Sequence, residues 1–145
     1  MRVYVFCHSF LSGIQKGIQA AHSVAELGHM AGDSGPYVDW VKNHKTLILL
    51  EGGSTLDLIK VRDSLYSEDP QNPPYHFAAF HEDADSLNGS MTAVAVLIPN
   101  NIAVAIGDYR SERFQYRKKF LRDGGFDEFD SGLIEMVAGY RLASS

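Results

Sequence analysis

The chain predicts an α/β fold: a four-stranded mixed sheet covered by helices, with an added helical segment after residue 99. Two kinds of run alternate along the sequence. Short stretches rich in β-branched and aromatic residues read as strands, and longer stretches with apolar residues three and four apart read as helices. The resulting β-α-α-β-α-β-β order fixes the sheet type. Strands joined through helices tend to run parallel, and the polar loop before the last strand closes an antiparallel pair.

Arg2 to His8 (RVYVFCH) is the first strand, and Ser12-Gly13 caps a helix running to about Gly28. Ile14, Ile18, Ala21 and Ala25 form its apolar stripe, which is expected to face the sheet and leave Gln15, Gln19 and His22 on other faces. Residues 28–35 read as a loop. Pro36 opens a short helix through Asn43 with Trp40 as its core anchor. Lys45 to Leu50 (KTLILL) reads as a buried central strand, turned by Gly52-Gly53-Ser54 into a helix through about Tyr66. Turn chemistry in SEDPQNPP precedes a strand from Tyr75 to Phe80, and Thr92 to Pro99 is the fourth. A basic helix from Ser111, stopped by Gly124-Gly125, and a helix around Leu133 to Leu142 complete a single domain, residues 1–99 forming the core and 100–145 a helical extension.

Composition bounds the function. With 145 residues, 45% of them hydrophobic, the chain can fill one core without metals or disulfides. A lone Cys7, no secretory leader pattern and no apolar run near the roughly 20 residues that span a bilayer point to the cytoplasm and exclude a membrane span. A net charge of -5 disfavours a tRNA-sized phosphate backbone, because gripping one takes many Lys and Arg contacts. One local exception lies between Tyr109 and Arg122, where cations interleave with aromatics. Arg110, Arg113 and Arg117 are spaced to share a helical face toward phosphates, or to pair with Asp123, Asp127 and Glu128 in solvent.

Two stretches carry candidate chemistry. Ser12 to Gly17 (SGIQKG) sets small residues and the Lys16 ammonium where a helix begins, so free N–H groups and a cation can meet an anion there. Its plain alternative is a serine cap beside a surface lysine. The loop His81 to Ser90 (HEDADSLNGS) fails as a calcium loop, since Asn88 stands where the tight-turn glycine belongs and no glutamate closes it, so no metal is expected. Asp83, Asp85, Ser86, Asn88, Ser90 and Thr92 instead supply acceptors and donors suited to base edges or ribose hydroxyls, or to a self-bonded hairpin loop. Cys7 and His22 read as packing rather than as nucleophile and base, and Gly52-Gly53-Ser54-Thr55 lacks the lysine of a phosphate loop.

Lys16-Gly17-Ile18-Gln19-Ala20-Ala21-His22 resembles the K-G-K-x-A-A-Q motif of type II peptidyl-tRNA hydrolases, with Ile18 and His22 replacing the family's second lysine and its glutamine. Asp83-Ala84 and Gly89-Ser90-Met91-Thr92 are similar to its D-A-G-x-T and P-G-S-x-T patches, with Asp85 and Asn88 at the departures. The likeness covers about residues 2–99 and implies that fold. As an esterase it implies Lys16, Asp83 and Thr92 as the reacting set, which the missing groups leave incomplete. The phrases FLSGIQKGIQAAH, HKTLILLEGG and FHEDADSLNGS further resemble a branch of small proteins of tailed phages. That resemblance implies a non-catalytic sponge for a cyclic dinucleotide in cyclic-oligonucleotide antiphage signalling (CBASS), without a cofactor, working in the host cytoplasm. The implied ligand residues are Lys16, Gly17, Gln19, His22, Asp83, Asp85, Ser86, Asn88, Ser90 and Thr92, with Arg110 and Arg113 as clamps. A homo-oligomer, dimer or tetramer, fits the apolar last helix. The alternatives are a working peptidyl-tRNA hydrolase, or an interaction protein that blocks a host factor through its C-terminal helices.

Overall fold

The structure, a computed structural model, describes residues 1–85 and 87–144, with the backbone alone at Leu87. Strand β1 (Arg2–His8) leads to α1 (Gly13–Ala31) and to a short α2 (Gly35–Asp39) that continues into a π-helical turn at Trp40–His44. Then come β2 (Leu47–Gly53), α3 (Thr55–Leu65), β3 (Phe77–His81) and β4 (Met91–Ile98). Helices α4 (Asn100–Ser111), α5 (Arg117–Asp123) and α6 (Glu128–Ala138) follow. The sheet order is β2-β1-β4-β3, with β1 parallel to β2 and β4 antiparallel to both neighbours. The expected four-stranded mixed sheet is therefore present. No helix among the described residues is long and apolar enough to cross a membrane.

Strand β4 (MTAVAVLI) is buried at every position because helices cover both sheet faces. Val94, Val96 and Ile98 join Phe6, Leu58, Ile102, Ile134 and Val137 on one face, under α3, α4 and α6. Ala93, Ala95 and Leu97 join Val3, Val5, Ala20, Leu27 and Trp40 on the other, under α1 and α2. The chain beyond residue 99 thus shares the main core with the sheet.

Three expectations are corrected. Helix α1 is rotated from its predicted orientation: Lys16, Gln19, Ala20, Ser23, Leu27 and Ala31 are buried, while Ile14 and Ile18 are 81% and 48% exposed, and Ala21 and Ala25 are exposed too. The polar residues win the inner face because the strand ends offer them partners, and because small residues on both sides (Ala20, Ser23, Ala93, Ala95) let the helix approach closely. Strand β2 is an edge strand rather than a central one. Its run is apolar because the C-terminal segment covers its outer edge: Glu51 N donates to Arg141 O at 3.0 Å and Ala143 N to Leu49 O at 2.9 Å. Helix α4 fills a stretch with no predicted element, burying Ile102, Ala103, Ala105, Ile106 and Tyr109, and the basic segment after it is only a short 3-10 turn plus α5.

Gly52 is the extra residue of a bulge in β2, since Cys7 pairs with Glu51 and His8 with Gly53. A Cβ there would lie 2.5 Å from Leu58 Cδ2 and 2.8 Å from the Cys7 carbonyl oxygen. Gly52→Ala is therefore expected to cost about 1–3 kcal/mol through overpacking. Urea titration should show a lower midpoint at unchanged slope.

Candidate functional site

The registers place His8, Gly53, His81 and Met91 at one end of the sheet, beside the starts of α1 and α3 and the loop after β3. Ligands of α/β sheets gather at such strand ends. Both irregularities of the ladder also lie here. Opposite the bulge at Gly52, Thr92 is the extra residue of β4, with Phe80 pairing to Ala93 and His81 to Met91.

Helix α1 opens with a capping box: Gln15 N donates to Ser12 Oγ at 3.2 Å, and Ser12 N donates to Gln15 Oε1 at 3.4 Å. One turn on, Lys16 is 5% exposed and meets Glu51, the last side chain of β2 before the glycines. Its Nζ donates to Glu51 Oε1 at 2.8 Å and to the Ser144 carbonyl at 3.0 Å. The same carboxylate oxygen accepts from Ser144 N at 2.7 Å and Ser144 Oγ at 3.1 Å. Burial alone would raise the Glu51 carboxyl, but hydrogen bonds from Lys16, Ser144 and Ser9 outweigh it and hold the pKa down to about 2. Lys16 is thus neutralised by the protein's own carboxylate.

The next turn carries a second polar cluster. Thr92 Oγ1, aimed at α1 by the bulge and fully buried, donates to Gln19 Oε1 at 2.6 Å, and Gln19 Nε2 donates to Glu82 Oε1. Gln19 therefore joins the early helix to the later loop. His22, one turn further, is exposed and lies over Phe80 of β3, with ring centroids 4.5 Å apart and planes tilted by 33°.

In the loop, Glu82 N donates to Ser90 O at 3.1 Å and Gly89 N to Asp83 O at 3.2 Å, which closes it on itself. Asp83, Asp85 and Asn88 remain exposed. Asn88 sits at φ 53 and Gly89 at φ 69. A proline, which is locked near -65°, cannot take the Asn88 position. Ser86 lies outside the described residues. No group of three or more His, Cys, Asp or Glu side chains able to hold a metal comes together among the described residues.

The structure thus gathers Lys16, Gln19, His22, Thr92 and the loop at one end, with Gly17 exposed on the outer side of α1. Arg110 and Arg113 do not join them within one copy. Arg110 lies across the sheet, capping α6 by donating to Ala138 O at 3.3 Å and Tyr140 O at 3.0 Å. Arg113 is exposed just beyond α4. Glu51, Glu82 and Phe80 escaped the sequence reading. A glutamate closing an otherwise apolar run, as in TLILLEGG, was the usable signal, because a buried acid demands a cation. No family model matches the chain, and no curated protein matches it in sequence.

Replacing Lys16 by Met leaves the Glu51 carboxylate without its cation and with only its serine hydrogen bonds, and is expected to cost at most about 3–5 kcal/mol in chemical denaturation. The pH dependence follows from the depressed Glu51 pKa. Its stabilisation is complete above the ordinary value of 4.5 and is lost as pH falls from there through about 2. Stability curves of Glu51→Gln should be flatter than wild type across that window. Cys7 is fully buried, and burial, reinforced by nearby Glu51 and opposed by Lys16, pushes its thiol up to about 12. Iodoacetamide at pH 8 should therefore alkylate it only after denaturant is added, as read by mass spectrometry.

Proposed function

We propose that the chain is a non-catalytic binding protein for a small nucleotide, of the cyclic dinucleotide class, and acts in the host cytoplasm as a phage sponge against CBASS signalling. The observation that carries this reading is the exposed His22 ring resting on Phe80 beside a loop that offers Asp83, Asp85 and Asn88 to solvent. A ring pair at a rim gives a base a surface to stack on, and neighbouring carboxylate and amide oxygens accept from base amino groups or ribose hydroxyls. Phosphate contact with the Lys16 ammonium requires displacing the Ser144 carbonyl, with the Glu51 carboxylate still beside it. The sheet type and the gathering of both motif patches at one end also support a hydrolase-like core.

The non-catalytic half rests on the same cluster. Lys16 is paired with Glu51, and the Thr92 hydroxyl is fully buried on Gln19. Neither is free to meet an ester, whereas general acid-base catalysis needs groups within hydrogen-bond reach of the reacting atom. The exposed stripe Ile14, Ile18, Ala21 and Ala25 supports a homo-oligomer, and a neighbouring copy is what would bring Arg110 or Arg113 to the ligand.

Calorimetric titration with 3′,3′-cyclic GMP-AMP, cyclic di-GMP and cyclic di-AMP tests the proposal. At least one is expected to bind at micromolar protein, with His22→Ala weakening it roughly tenfold, the value of one stacking contact. Absence of heat with all three, or release of peptide from peptidyl-tRNA that Asp83→Asn abolishes, would end it.

A further inference from the structure

A cavity of about 470 Å³ lies away from the site above, along the free edge of β3. It spans both layers, from Met30 at the end of α1 to Arg62 and Tyr66 at the end of α3, and Phe77 to Ala79 form its floor. Its size falls within the range of roughly 300–1,000 Å³ usual for ligand pockets.

Among the described residues, nothing bonds the outward backbone groups of this floor. Leu97 N donates to His76 O at 2.9 Å, so the bonded pairs of the β3–β4 ladder are His76–Leu97, Ala78–Ala95 and Phe80–Ala93. Alternation in an antiparallel pair then turns the N–H and C=O of Phe77 and Ala79 away from β4, toward the cavity. An extended chain laid alongside can bond both residues at each end of their peptide groups. The opposite edge of the sheet is treated differently, since the chain covers β2 with its own Arg141–Ser144 segment. Proteins commonly protect an edge by such a cover, by charge or by proline, and β3 (FAAFH) has no proline and no acidic or lysine side chain.

We propose that this groove binds an extended peptide segment of a partner protein by adding it as a strand to β3. The segment carries an apolar residue toward Met30, Tyr66 and Phe77, and an acidic one at its flank. The acidic preference comes from the lining, which includes Arg62 and His76 and no aspartate or glutamate. Arg62 spends Nε and Nη2 on Asp63, while Nη1 has no partner among the described residues. This inference is independent of the nucleotide reading, since it uses the other end of α1 and the outward backbone of Phe77 and Ala79 rather than the Phe80 ring and the loop after β3.

The test is a panel of acetylated, amidated hexapeptides alternating Val or Phe with Glu, added to isotopically labelled full-length protein. Saturable shifts at the Phe77 and Ala79 amides are expected. N-methylation of the peptide backbone at alternate residues should weaken binding roughly tenfold or more, as should Ala79→Pro, through loss of a ladder hydrogen bond. An edge strand tolerates proline where the N–H faces outward, so this variant should keep the wild-type spectrum away from β3, and the N-methylated peptides probe the same point without altering the protein. No shift at millimolar peptide overturns the proposal. So does binding insensitive to N-methylation. Concentration-dependent self-association removed by Ala79→Pro gives the edge to a second copy, and shifts with adenosine but no peptide give the cavity to a small planar ligand; either outcome also overturns it.

Discussion

An ammonium and a carboxylate taken out of water at the sheet end must face each other, and Lys16 and Glu51 do so at 2.8 Å. That requirement sets the rotation of α1, because a helix that buries Lys16 must bury Gln19 and Ser23 one and two turns on. Each of these finds a partner: Glu51, then Thr92 with Glu82, then the Ala20 carbonyl. The isoleucines at 14 and 18 are turned outward as the complement of this choice. A buried pair of this kind adds little net energy but penalises every arrangement that leaves one member alone.

The same pair ties the end of the chain to its beginning. Ser144 closes the polar cluster through its amide, hydroxyl and carbonyl, after Arg110 has capped α6 and Tyr140 has packed edge-on against Phe6 with centroids 5.0 Å apart. Segments far apart in sequence, 16, 51 and 144, therefore share one electrostatic requirement. A titration at Glu51 is felt at the covered edge of β2 as well as under α1.

Much of the fold was legible. The four strands stand out because β-branched runs between turn residues have few other uses, and the hairpin around residues 81–90 follows from its polar composition. The position of β2 was not legible, since a continuous apolar run reads alike whether helices and sheet neighbours cover it or a tail does. Helix α4 was passed over although Ile102, Ile106 and Tyr109 recur at helical steps. The orientation of α1 was misread for a physical reason: periodicity reports where apolar residues lie, and here the inner face was decided by ionic and amide partners on other elements. Of the candidate site, the residues that meet at one end were found through their motifs, and their partners Glu51 and Glu82 lay beyond any local pattern.

The bulge at Thr92 works as a phase change along β4. Before it Met91 points into the larger cluster, and after it Val94, Val96 and Ile98 do, so odd and even positions exchange roles across one inserted residue. A related chain lacking that residue could keep a continuous ladder and the same hydrophobic layers while losing the hook that holds Gln19. Length variation of one residue at this point therefore separates inheritance of the scaffold from inheritance of the polar centre, and gives evolution a way to alter one while sparing the other.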